Sequence, residues 1–170
     1  MCARVGETGF AGPGYGLIAP ALPGNMNGPF RKVLSAKIHR AVITEANVDY
    51  EGSLTIPPEL LDATGIMPYE SVCVWNVTRG TRLETYAIQG LPESSDLCAN
   101  GAAAHLIQPG DRVIIAAFAY MSEAQIADHR PKQIFVDAQN RNAHRGPEVA
   151  GPELRAAAAG TPRKVKGSND

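Results

Sequence analysis

Four short stretches of this chain carry residues able to do chemistry, and the first is Tyr50-Glu51-Gly52-Ser53. The hydroxyl of Ser53 lies within reach of the carbonyl of Gly52, in its own backbone. Glycine has no Cβ and takes up left-handed or strained geometry that exposes that carbonyl. Held in such geometry, Ser53 is a nucleophile against its own chain; otherwise Gly-Ser is an ordinary turn. The second stretch holds Lys37 and His39, two residues apart and so on one face of a strand: a pocket wall or a solvated edge. In the third, Arg82, Glu84 and Tyr86 share one face and Leu83, Thr85 and Ala87 the other. A guanidinium fork beside a phenol suits a carboxylate ligand, and a charge pair between Arg82 and Glu84 fits the spacing equally. The fourth is Asn100-Gly101-Ala102-Ala103-Ala104-His105, where small residues let a backbone approach a small ligand or start a short helix.

Composition narrows the function classes. The chain has 170 residues, 44% hydrophobic and 19% charged, with a formal net charge of −1, which describes a soluble globular protein of one domain. Nucleic-acid binding wants a basic face, which this balance does not supply, and 6% aromatics make stacking platforms scarce. Cys2, Cys73 and Cys98 form no CxxC pair, so they read as free thiols of a reducing cytoplasm, with no metal site. No apolar run approaches the roughly 20 residues that span a bilayer. Gly and Pro break every early apolar stretch, so no signal peptide is expected.

Those stretches need a scaffold. Residues 1–29 are dominated by Gly and Pro and are expected to be a disordered extension, with Met26 an alternative translation start. Residues 33–44 predict a strand, 44–47 a turn, and 48–56 an extended segment with Gly52-Ser53 in its middle. A short helix over 57–63, with proline in its first turn, stops at Gly65; Leu60, Leu61 and Ile66 cover a core. Residues 71–78 and 81–88 predict a hairpin. The apolar run 113–120 is the most buried strand, Ser122 caps a brief helix, and 133–136 form a last strand. Residues 140–170 are expected to be a disordered tail. Many short strands with few crossover helices predict a mainly β domain over 30–139, a small barrel or sandwich.

The segments KIHRAVITEANVDYEGSLTI, ELLDATGI, VWNVTRGTRLETYAI, NGAAAH and GDRVIIAAFAYM, in that order and spacing, closely resemble the pyruvoyl-dependent aspartate 1-decarboxylases. The match runs from about Arg31 to Asn140. It implies a double-psi β-barrel assembled as a homotetramer with active sites between subunits. It also implies a proenzyme: Ser53 attacks the Gly52 carbonyl, the chain splits between them, and Ser53 becomes a covalent pyruvoyl group, with no pyridoxal phosphate. That group forms a Schiff base with L-aspartate, which loses carbon dioxide to give β-alanine for pantothenate and coenzyme A synthesis. By the same resemblance Tyr86 is the proton donor, and Thr85, Gly101, Ala102, Ala103, Arg82 and Lys37 bind substrate. His39, Asn100 and Tyr50 line the pocket. Pro57 departs from the acidic residue common there, and both tails are extra.

Adjacent residues Thr85 and Tyr86 cannot both face one site from a flat strand. Either a bulge re-aims one, or one serves a neighbouring subunit. Two other readings compete: an uncleaved barrel acting as a binding or regulatory module, and a serine hydrolase with Ser53 and His39. The hydrolase lacks a GxSxG elbow and an evident acidic partner for His39. Whether a maturation protein assists cleavage is not legible in the residues.

Overall fold

The computed structural model describes residues 28–148 and residue 151. Most of the N-terminal extension, Met26 and the end of the C-terminal tail lie outside the described residues. In chain order the elements are β1 (Phe30–Val42), β2 (Glu45–Asn47), β3 (Ser53–Ile56), α1 (Pro58–Thr64), β4 (Ser71–Asn76) and β5 (Arg82–Gln89). Then follow β6 (Cys98–Asn100), a 3₁₀ turn (Gly101–His105), β7 (Arg112–Ser122), α2 (Glu123–Asp128), β8 (Lys132–Val136) and β9 (Asn142–Arg145). The protein is mainly β.

The strands form one ladder in the order β2-β6-β3-β5-β4-β7-β1-β8-β9. Laid flat, the six spacings from β2 to β1 would measure roughly 29 Å. Yet Val42 and Glu45 are consecutive along the chain but for two residues, a reach of about 10 Å. The sheet must therefore roll up, as a small barrel does. At the crossover Ile43 N–H donates to the Asp111 carbonyl (2.9 Å) and Thr44 N–H to the Leu97 carbonyl (2.9 Å). Arg40, at φ +63°, sits in a register break of β1 between Ile38 and Ala41 that helps the strand bend.

β1 and β4 flank β7, and Val113, Ile115, Ala116 and Ala117 of that strand are fully buried. Its apolar run is continuous because both faces are covered as far as Ala117, while Tyr120 at its end is exposed. Ile38, Leu54, Ile56, Val72 and Val74 fill the interior from the other strands, and Ile43 from the link between β1 and β2, each worth about 2 kcal/mol of burial. Leu60, Leu61 and Ile66 close one side as expected, and Gly65 ends α1 at φ +71° with its N–H on the Leu61 carbonyl. Ser122 caps α2 in a reciprocal box with Gln125. Asp111 is buried and accepts from Asn76 Nδ2 (2.7 Å), Gln108 N–H (2.9 Å) and Arg79 Nε (2.8 Å).

Three boundaries differ from expectation. Residues 45–47 are not a turn but β2, which pairs in parallel with β6. The segment 48–56 is not one extended stretch. Asn47 Oδ1 accepts from Asp49 N–H (3.0 Å), Gly52 N–H bonds back to the Tyr50 carbonyl (2.7 Å), and β3 begins only at Ser53. The sheet also continues past residue 139, because β9 pairs antiparallel with β8.

Candidate functional site

Gly52 and Ser53 have φ values of +63° and +109°. The left-handed region is free for glycine but costs a serine on the order of 1–3 kcal/mol. Ser53 is nonetheless 2% exposed, so the packing around it holds the strain. β6 lies antiparallel to β3 with Asn100 directly opposite Ser53. From there Asn100 Nδ2 donates to Ser53 Oγ (3.2 Å) and to Thr55 Oγ1 (2.9 Å). The Oδ1 of the same amide faces Cys98 Sγ at 3.1 Å. Burial, and then the charges of Glu45 and Asp96, push the Cys98 thiol up against a lowering backbone bond at Asn47. It is therefore protonated near neutral pH and donates.

Gly101, at φ +58°, follows at once. A Cβ there would lie 2.6 Å from Gly52 N, 2.7 Å from Gly52 Cα and 2.8 Å from the Tyr50 carbonyl oxygen. Only glycine lets the 3₁₀ turn seat itself against the Gly52 backbone. Ala103 and Ala104 are buried behind it, while Ala102 is exposed.

β5 runs parallel to β3 with Ala87 opposite Leu54, and one step back along both strands sets Tyr86 beside Ser53. The Tyr86 hydroxyl donates to the Glu51 carbonyl (3.3 Å), and its side chain is part-exposed. Tyr50 is exposed on the same loop. The β4–β5 ladder runs from Ser71↔Tyr86 to Trp75↔Arg82 with no register shift, so no bulge in it re-aims Thr85, which is half-buried. The Arg82–Glu84 pair does not form. Glu84 accepts from Ser71 Oγ (2.6 Å), and the Arg82 guanidinium lies over the Trp75 ring, 5.5 Å from its centroid.

Lys37 and His39 keep the common face their spacing predicts, but in another place. They sit opposite Gln133 and Phe135 of β8. The Lys37 side chain is 8% exposed and its ammonium pairs with the Glu148 carboxylate. The His39 ring centroid lies 5.0 Å from that of Phe135. In the ladder, β5, β4 and β7 stand between β3 and β1. By their contacts Ser53, Asn100, Gly101, Tyr86 and Tyr50 form one cluster, while Lys37 and His39 pack against β8 and Glu148 in another. Among the described residues no group of three or more His, Cys, Asp and Glu side chains could hold a metal ion. No helix there is long and apolar enough to cross a membrane.

Comparison with known proteins gives this geometry a context. Residues 30–143 match the family model described as aspartate decarboxylase. The chain belongs to the aspartate decarboxylase family. Aspartate 1-decarboxylase of Rhodopirellula baltica is 68% identical over 127 residues, covering 75% of this chain and 81% of that protein. That of Legionella pneumophila strain Lens is 57% identical over 122 residues, 72% and 92%, and that of Myxococcus xanthus 51% over 128 residues, 75% and 98%. This chain is an enzyme of the aspartate 1-decarboxylase type.

The structure adds to these two clusters residues that sequence reading passes over. Thr55 shares the Asn100 amide with Ser53, and the two-residue period of β3 already put them on one face. Cys98 stood only as a free thiol; its place two residues before Asn100 was the missed signal. Glu148 carried no signal, because its contact with Lys37 spans 111 positions of chain.

Proposed function

We propose that this decarboxylase is made as a proenzyme that cuts itself between Gly52 and Ser53. The observation that carries the reading is the pair of left-handed residues with a buried Ser53 Oγ under the Asn100 amide. Ser53 Oγ attacks the Gly52 carbonyl carbon, and the amide nitrogen leaves it and takes the hydroxyl proton, so the peptide becomes an ester. Asn100 Nδ2 donates to Oγ, which favours loss of the hydroxyl proton and, in the next step, departure of Oγ as a carboxylate oxygen. Loss of the Ser53 α-proton then expels the Gly52 carboxylate and leaves a dehydroalanine. Water hydrolyses its enamine to a ketone and ammonia. The short fragment ends at Gly52; the long one begins with a pyruvoyl group where Ser53 stood.

The residues present fit that group, since Asn100 and Thr55 offer it polar partners and the Gly101 turn walls it in. Bound to aspartate through the substrate amine, the group supplies the electron sink on which the α-carboxylate leaves as carbon dioxide. Tyr86, whose hydroxyl already reaches the Glu51 carbonyl beside the cut, delivers the proton that completes β-alanine. Arg82 holds the retained carboxylate, and the backbone of Gly101, Ala102 and Ala103 the rest of the substrate. Thr85, on the opposite face of an unbulged β5, serves the site of a neighbouring subunit. Lys37 and His39 stand apart from this cluster within one chain, which supports a homotetramer in which one subunit's Lys37 and His39 complete the site of the next. Work in the cytoplasm, feeding pantothenate synthesis, goes with this reading. Intact mass of the purified protein tests it: two chains meeting at 52/53, the larger without a free α-amine, are expected, and Ser53→Ala should give one chain and no carbon dioxide. A wild-type chain that stays whole on long incubation would refute self-processing.

A further inference from the structure

Asn100 has two ends of nearly equal shape, and only one of them helps Ser53. With Nδ2 toward Ser53, as here, the amide donates to Oγ and leaves the serine proton free to depart. Turned over, Oδ1 would accept that proton and offer no N–H to Oγ once the proton has left. The neighbours on that side, Ser53 and Thr55, are hydroxyls that both donate and accept, so they do not choose between the two ends. The chooser is on the other side, where Cys98 Sγ stands 3.1 Å from Oδ1. An S–H donates, and a donor selects the oxygen end.

We propose that the Cys98 thiol is a positioning residue for chain cleavage, setting the Asn100 carboxamide so that its N–H faces the Ser53 nucleophile. The inference rests on the self-processing reading above. The elements around Cys98 keep the thiol in its donating form. Glu45 of β2 stands opposite it in the ladder, Asp96 precedes it in the chain, and Thr55 of β3, which is neutral, faces it from the other side. Both carboxylates oppose formation of a thiolate. A thiolate is an acceptor only and would draw the N–H end toward itself, turning the amide away from Ser53.

Cleavage time courses on freshly synthesised full-length chain test this. Cys98→Ala is expected to slow cleavage about tenfold, the worth of one orienting hydrogen bond. Cys98→Ser, whose hydroxyl donates in place of the thiol, should restore a rate close to wild type. Above pH 9.0, the ordinary value beyond which burial pushes this thiol, the wild-type rate should fall relative to Cys98→Ser, because serine does not ionise there. Cys98→Ala cutting at the wild-type rate, or Cys98→Ser as slow as Cys98→Ala, would overturn the role. A second readout holds whether or not the parent chain splits. In the uncleaved Ser53→Ala chain the Asn100 side-chain amide resonances should titrate with the thiol, and should not in Ser53→Ala/Cys98→Ser. Amide signals indifferent to thiol ionisation would equally overturn it.

Discussion

Substituting Gly101 should damage self-processing more than substituting the residue whose carbonyl is attacked. At Gly101 a new Cβ would approach Gly52 N to 2.6 Å, about 0.8 Å short of the 3.4 Å at which ordinary contact begins. Its neighbours there are all backbone, with no flexible side chain to swing aside. Alanine at φ +58° adds the left-handed penalty, about 1–2 kcal/mol, and overpacking a tight site costs about 1–3 kcal/mol more. The loop 50–52 relieves this by moving away, which carries the Gly52 carbonyl off the line of attack by Ser53 Oγ. A displacement near 1 Å is worth on the order of a hundredfold in rate. At Gly52 itself a Cβ would meet nothing within 4 Å, so alanine there bears only the left-handed penalty, about tenfold. The assay is a gel or intact-mass time course of newly made Gly101→Ala and Gly52→Ala chains, with melting temperatures to show that both fold. If folded Gly101→Ala cleaved as fast as Gly52→Ala, steric seating of the 3₁₀ turn would not control the scissile bond.

Tyr86→Phe keeps the ring packing and loses the hydroxyl that reaches the Glu51 carbonyl; the chain should still cut but release carbon dioxide at least about a hundredfold more slowly, and normal turnover would remove Tyr86 as proton donor. Glu148→Gln takes away a carboxylate that sits where substrate would on Lys37, so the KM for aspartate should fall about fivefold with kcat little changed, as for a weak, part-exposed pair; steady-state kinetics showing an unaltered KM would exclude that competition. Burial raises the Asp111 pKa, but the Gln108 N–H, the Asn76 amide and Arg79 outweigh it and hold the carboxyl below its usual range. Its stabilisation is thus complete above about pH 4 and lost as pH falls through the lower folded-state value. Asp111→Asn should cost about 1–3 kcal/mol near neutrality and flatten the acid side of the stability curve, which denaturant melts between pH 3 and 7 would detect.

Local chemistry was legible in the residues; distance along the chain was not. The continuous apolar run of β7, the proline start and glycine stop of α1, and the Ser122 cap each act within a few residues, and each formed where expected. The β2 strand escaped notice because it is three residues long and its partner β6 lies fifty positions on. Gly52-Ser53 had the composition of a reactive turn, but the reason the turn is held came from elsewhere, from Asn100 across the ladder and Gly101 behind it. Lys37 and His39 shared a face, as their period required. Period gives no information about which strand that face meets, and it met β8 and Glu148 instead of the Ser53 turn. The Arg82–Glu84 pair failed for a related reason, since Trp75 and Ser71 on the neighbouring strand stand closer to these side chains than the second neighbour along β5 does.

β1 lies hydrogen-bonded between β7 on one side and β8 on the other, with Ala36, Ile38 and Ala41 in the core. A cut after Gly52 therefore leaves the first fragment as an interior stave, not a loose end. Up to that moment folding is unimolecular, and the two halves search for each other at the high local concentration a tether gives. Afterwards the same structure is a complex of two polypeptides, and regaining it from the unfolded state depends on their concentration. If the chain cuts itself as proposed, topology fixes the order of events: the barrel closes first, the bond breaks second. A mature protein so divided would assemble again only by encounter of its two pieces.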